Sequence, residues 1–174
     1  MKSDTKIIVI TGAESTGKSA LTRWLASHFQ APFIPEYARY HIENLGRKYL
    51  FSDVEYIARK QIQQLNEHQK TNHPLVFSDT WLIITKIWFE EVYGRKPDWL
   101  EHEITNIKID LFLVCDTDLP WVPDPVRENG GEKRLYLHKK YIETMEKYGF
   151  NYKIVRGRDE SRFTNALNHL DYII

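Results

Sequence analysis

The architecture expected of this chain is α/β, a three-layer sandwich in which a five-stranded parallel sheet is flanked by helices. Short apolar runs recur along its 174 residues: KIIVIT at 6–11, LVF at 75–77, LFLVC at 111–115 and YKIV at 152–155. Runs that are apolar without alternation read as strands covered on both faces. Segments with helical spacing stand between them, the order expected when crossover helices join parallel strands.

In chain order, 6–11 is strand one, and a glycine-rich turn leads into a helix whose Leu21, Trp24, Leu25, His28 and Phe29 fall at helical spacing. APFIP, 31–35, is a short second strand that delivers Glu36. Ser52 and Glu55 have the form of a capping box, opening a helix with the stripe Val54, Ile57, Ala58, Ile62 and Leu65. LVF is the third strand and runs into Ser78 and Asp79. WLIITKIWFEEVY, 81–93, is apolar nearly all round and predicts a buried helix ended by Gly94; a further helix near 97–107 leads into LFLVC. DTDLPWVPDPVRENGGEKR, 116–134, is rich in Pro, Gly and Arg and reads as a long loop. A helix over about 134–148, the strand YKIV and a last helix around 160–170 complete the order. With no linker or repeat, one domain over 1–174 is expected, with a lid loop about 118–134.

Formal net charge is zero, so no global field draws the chain to nucleic acid or to an anionic membrane. The single cysteine, Cys115, excludes an internal disulfide and reads as a small core residue. The histidines show no zinc spacing. No run reaches the length of a membrane span, and the charged opening MKSDTK lacks the features of a signal peptide, so a cytoplasmic protein is expected. Oligomeric state is not legible.

The chemistry is concentrated behind the first strand. GAESTGKS has the spacing G-x-x-x-x-G-K-S, with Gly12, Gly17, Lys18 and Ser19 at its fixed positions. Such a loop aims successive backbone N–H groups at one anion, and the following helix adds its N-terminal N–H groups and dipole. Residues Gly12, Ala13, Glu14, Ser15, Thr16, Gly17, Lys18, Ser19 and Ala20 are therefore the candidate ATP cradle. Lys18 would reach the β- and γ-phosphates and Ser19 would be a ligand for Mg²⁺. Asp79, an acid at the end of an apolar strand, is the candidate partner of Ser19 on the metal.

Phosphoryl transfer also needs positive charge on the moving group and something to orient the nucleophile. Arg127 and Arg134 in the long loop are candidates for the first, with Lys133 between them read as a solvated charge. Glu36 is the candidate acceptor of a hydroxyl proton; Asp79 competes for that substrate-side role. Tyr37 and Trp121 offer aromatic faces, and Arg156 and Arg158 are candidates to flank adenine.

Taken in order, GAESTGKS, PEYAR, a strand ending in Asp and the D-x-D-x-P-W-x-x-D-P-x-R stretch resemble the ribosylnicotinamide kinase domain of NadR-type NAD-salvage proteins, from residue 6 to about 160. The resemblance implies a P-loop fold of nucleoside- and nucleotide-kinase type. The implied reaction is ATP-dependent phosphorylation of the 5′-hydroxyl of nicotinamide riboside to nicotinamide mononucleotide. It further implies that Arg127 binds ATP with the P-loop, that Glu36, Tyr37 and Arg39 line the nucleoside side, and that Trp121 and Asp124 hold nicotinamide and ribose. The larger family members carry a helix-turn-helix region and an adenylyltransferase domain that this sequence lacks, so the kinase alone is expected. A kinase for another small nucleoside or sugar shares the phosphate-handling residues, and a non-catalytic ATP-dependent switch would not need Glu36.

Overall fold

The structure is a computed structural model that describes residues 5–71 and 73–174. The charged opening, MKSD, and Asn72 lie outside the described residues. Five strands, β1 (Lys6–Thr11), β2 (Phe33–Ile34), β3 (Leu75–Asp79), β4 (Leu111–Cys115) and β5 (Tyr152–Val155), form one sheet in the order β2-β3-β1-β4-β5. Every pairing is parallel; at the centre Ile8 of β1 stands opposite Phe77 on one side and Leu111 on the other.

Alternate residues of each strand face opposite layers. Ile7, Val9, Val76, Phe112 and Val114 pack against Val54 and Leu65 of α3 (Phe51–Gln69), Leu82 and Ile87 of α4 (Leu82–Tyr93), Leu100 of α5 (Asp98–Asn106) and Met145 of α6 (Gly131–Tyr148). Ile8, Ile10, Phe77, Leu113 and Cys115 pack against Leu21 and Leu25 of α1 (Lys18–His28) and Ala166 and Leu170 of α7 (Asp159–Leu170). This is the three-layer sandwich expected from the unbroken apolar runs. Burial pushes the Cys115 thiol up to about 11, as befits a core residue rather than a nucleophile. Among the described residues no helix is long and apolar enough to cross a membrane.

Four local expectations are corrected. The helix expected to be capped by Ser52 is capped by Leu50 and starts at Phe51, and the capping carboxylate is that of Asp53, which accepts the Leu50 N–H at 2.7 Å. Glu55 instead accepts from the Trp99 indole at 2.8 Å. A short helix, α2 (Tyr37–Glu43), follows β2, where the sequence pattern predicts no helix. β2 is only two residues long, not the whole of APFIP. The long loop ends early, because α6 begins at Gly131 and takes Lys133 and Arg134 into its first turn.

Candidate active site

The carboxyl ends of β1, β2, β3 and β4 carry the chemistry-bearing residues to one edge of the sheet, the edge where open parallel sheets bind ligands. Between β1 and α1 the chain makes its glycine-rich turn. Gly12 has φ +132°, and a Cβ there would stand 2.8 Å from the Cys115 carbonyl oxygen; only glycine lets β1 pass β4 so closely. Gly17, at φ +77°, caps α1 with its carbonyl, which accepts the Leu21 N–H at 3.0 Å. Lys18 is buried, and its ammonium donates to the Ala13 carbonyl at 2.8 Å, folded across the cradle.

Ser19 Oγ donates to Asp79 Oδ2, joining the start of α1 to the end of β3. Burial and the facing charge of Glu36 raise the Asp79 carboxyl to about 6, against the Ser19 hydrogen bond and the nearby Lys18 charge. Its other oxygen, Oδ1, is buried without a partner. A hydroxyl and a carboxylate with an orphaned oxygen are the donor set a hard cation takes. Among the described residues no cluster of three His, Cys, Asp or Glu side chains forms a metal cage. The pair therefore suits Mg²⁺, which is held through one or two protein oxygens and the substrate phosphates.

Two cavities meet here. The smaller, about 410 Å³, runs along the cradle and is lined by residues 14–20 with Arg23, Glu36, Arg39, Asp124 and Arg127. The larger, about 680 Å³, lies between α2, α4, α6 and the long loop; its wall includes Ile42, Tyr49, Ile87, Trp88, Tyr93 and Tyr141. Glu14, Lys18, Glu36, Arg39 and Arg127 line both. The candidate base, the P-loop lysine and one loop arginine thus stand at the junction between the cradle cavity and the larger one.

Asp124 organises the loop. Its Oδ1 accepts the Val126 and Arg127 N–H groups at 3.0 and 3.1 Å, and its Oδ2 accepts from Arg39 at 3.0 Å and stands 3.0 Å from Arg127 Nε. Burial alone would raise this carboxyl; the hydrogen bonds from Val126 and Arg39 hold it below the usual range.

The remaining candidates stand elsewhere. Trp121 lies against Gly130, where a Cβ would approach its ring to 3.1 Å, and it lines neither cavity. Tyr37 faces Tyr40, His41 and Tyr56 on the far side of α2. Arg134 turns its guanidinium to the carbonyls of Glu14, Ser15 and Leu119 at 3.0, 2.6 and 2.9 Å, supporting the cradle from behind. Arg156 pairs with Asp116 at 2.9 Å and Arg158 donates to the Asp118 carbonyl at 3.2 Å; both stand outside the two cavities.

Sequence reasoning missed Arg162. It is buried in α7 and donates to Thr16 O at 2.7 Å, Asp118 Oδ1 at 2.7 Å and Gly157 O at 2.9 Å. The aromatic wall of the larger cavity was also missed; its residues come from three distant segments and share no spacing.

A family model described as an AAA domain matches residues 7–162. The chain belongs to this family. The AAA domain here is also similar, at 28% identity over 168 residues, to the "Trifunctional NAD biosynthesis/regulator protein NadR" of Escherichia coli strain K12. That match covers 93% of this chain and 41% of the relative, so the chain spans about two fifths of that protein's length. A solved structure, "Crystal structure of NadR protein in complex with NR", superimposes with a TM-score of 0.80 at 23% identity, over 97% of this chain and 51% of the other. A deoxyadenosine kinase from M. mycoides superimposes with a TM-score of 0.67 at 18% identity, over 96% of this chain and 100% of the other. The resemblance read from the motifs and the nucleoside-kinase type of fold both hold.

Proposed function

We propose that this chain is an ATP-dependent kinase that transfers the γ-phosphoryl group to the 5′-hydroxyl of nicotinamide riboside, giving nicotinamide mononucleotide. The observation that carries the reading is the junction: Lys18, Glu36 and Arg127 line both a P-loop cavity and a larger, aromatic-walled one. A switch protein that only binds and releases ATP has no use for a second cavity with a carboxylate at its mouth. The similarity to NadR over 93% of the chain supports the choice of nucleoside.

Each group has a task in this reaction. The cradle N–H groups and Lys18 hold the triphosphate, and Arg127 meets the charge that develops on the moving phosphoryl group. Glu36, at the N-terminus of α2, accepts the proton of the attacking hydroxyl. Ser19 and Asp79 would hold Mg²⁺, which when bound neutralises charge on the β- and γ-phosphates. Tyr49, Trp88, Tyr93 and Tyr141 offer the cationic pyridinium ring a face, worth about 0.5–2 kcal/mol relative to a neutral base. Trp121 supports the loop through Gly130 rather than the ring.

The test is a panel of nucleosides assayed for ADP release. Nicotinamide riboside should be turned over well ahead of uridine, thymidine and adenosine. Equal or better turnover of one of these would reassign the larger cavity to another nucleoside, and ADP release indifferent to every nucleoside would remove the kinase reading.

A further inference from the structure

Glu14 occupies a variable position of the P-loop, and neither the cradle nor the proton transfer calls for an acid there. A carboxylate among residues that bind a triphosphate is a liability unless its charge is engaged. In this structure it is fully engaged, and by the long loop. Oε2 accepts the backbone N–H groups of Glu128 and Asn129, each at 3.0 Å, and Oε1 accepts from Asn129 Nδ2 at 3.0 Å. The neighbouring Ser15 makes a second tie, accepting the Val122 N–H at 2.9 Å. Between the two ties sits Arg127, lining both cavities.

We propose that Glu14 is the latch that couples the nucleotide site to the acceptor cavity, holding the 120–130 segment so that Arg127 stands at the junction. It is a positioning residue: it acts through the segment it holds. The sign of the coupling follows from charge. With the segment docked, three N–H donors hold the carboxylate and offset part of its charge, which makes the phosphate cavity it lines more favourable to ATP. With the segment away, a bare carboxylate faces the triphosphate. ATP therefore binds the docked form more tightly, and by linkage the docked form, which walls the larger cavity with Pro125, Val126 and Asn129, gains the nucleoside. This inference rests on the kinase reading for the identity of the acceptor, and on geometry alone for the latch.

Two measurements separate these. Hydrogen exchange at the Glu128 and Asn129 amides reads the latch without any acceptor. In the wild type a non-hydrolysable ATP analogue should slow that exchange. In Glu14→Ala it should be fast and indifferent to the analogue, with β1 amides still protected as the sign of an intact fold. Calorimetry then reads the coupling. The analogue should tighten wild-type binding of nicotinamide riboside by about 5–150-fold, a ratio that falls toward one in Glu14→Ala. Glu14→Gln, which keeps an acceptor for the two backbone N–H groups but not for Asn129 Nδ2, should give an intermediate ratio, as should Asn129→Ala from the other side. Unchanged exchange at 128 and 129 in Glu14→Ala, or an unchanged ratio, overturns the latch. Failure of the wild type to bind nicotinamide riboside overturns the choice of acceptor and leaves the exchange experiment to decide the latch.

Discussion

Glu36 follows β2 and Asp79 ends the neighbouring β3; burial, and after it the facing charge of Glu36, raises the cost of ionising Asp79. Two acids so placed divide the labour by their partners. Asp79 is tied to Ser19, which in the proposed reaction would keep it with Mg²⁺; Glu36 lines both cavities and would be left to the acceptor hydroxyl. Glu36→Gln keeps the size and hydrogen bonding of the side chain but removes the proton acceptor. Its kcat should fall by roughly 10²–10⁴, the usual worth of general-base help, with ATP affinity in calorimetry almost unchanged. Asp79→Asn should instead give a defect that added Mg²⁺ partly restores. Rescue of the first variant by Mg²⁺, with the second left dead, would exchange the two roles.

At the scale of elements, the walls of the larger cavity depend on how α4 meets α6. Glu91 of α4 accepts from Lys133, Lys140 and Tyr136 of α6. Burial would raise this carboxyl, but those hydrogen bonds outweigh it and hold it at about 2, down from 4.5. A carboxyl depressed on folding contributes stability that is present above about pH 4.5 and fades as pH falls toward 2. Glu91→Gln should therefore be less stable than the wild type to urea at neutral pH, with the gap narrowing below about pH 4.5 and closing toward pH 2; a gap that widens in acid would refute the assignment. Long apolar strands and the P-loop were legible because period and spacing are local. Elements such as α2 were not: of PEYARYHIENLG only Ala38 is buried within the helix, so no apolar stripe announces it. The start of α3 was misplaced because two acids, Asp53 and Glu55, lie within reach of a helix start. The geometry of Leu50 and a second partner, Arg47 at 2.7 Å, select Asp53. Candidate residues such as Trp121 and Arg134 lie in the expected neighbourhood, yet which way each points depends on contacts distant in sequence.

The molecule as a whole is closed by its last helix. Arg162 of α7 reaches across 146 residues to the Thr16 carbonyl in the P-loop. It also pairs with Asp118 behind β4 and holds the Gly157 carbonyl behind β5. The beginning of the chain, its middle loop and its end are thus pinned to one guanidinium. The planar fork of an arginine is what allows this, because a lysine offers a single point of charge. With the Arg162 side chain only 4% exposed and Asp118 at 33%, the pair is desolvated on one side and open on the other. Removing a buried partner from such a pair costs about 3–5 kcal/mol, and the exposure of Asp118 places this case near the lower end. Arg162→Met, which keeps much of the apolar stem, should lose about 3 kcal/mol in urea unfolding. It should also weaken ATP binding although no side-chain atom of Arg162 lines the phosphate cavity, because the Thr16–Gly17 turn loses its anchor. Arg162→Lys should recover only part of either. If Arg162→Met lowers stability but saturating ATP still binds with wild-type affinity, the P-loop holds its own shape and Arg162 serves the fold alone.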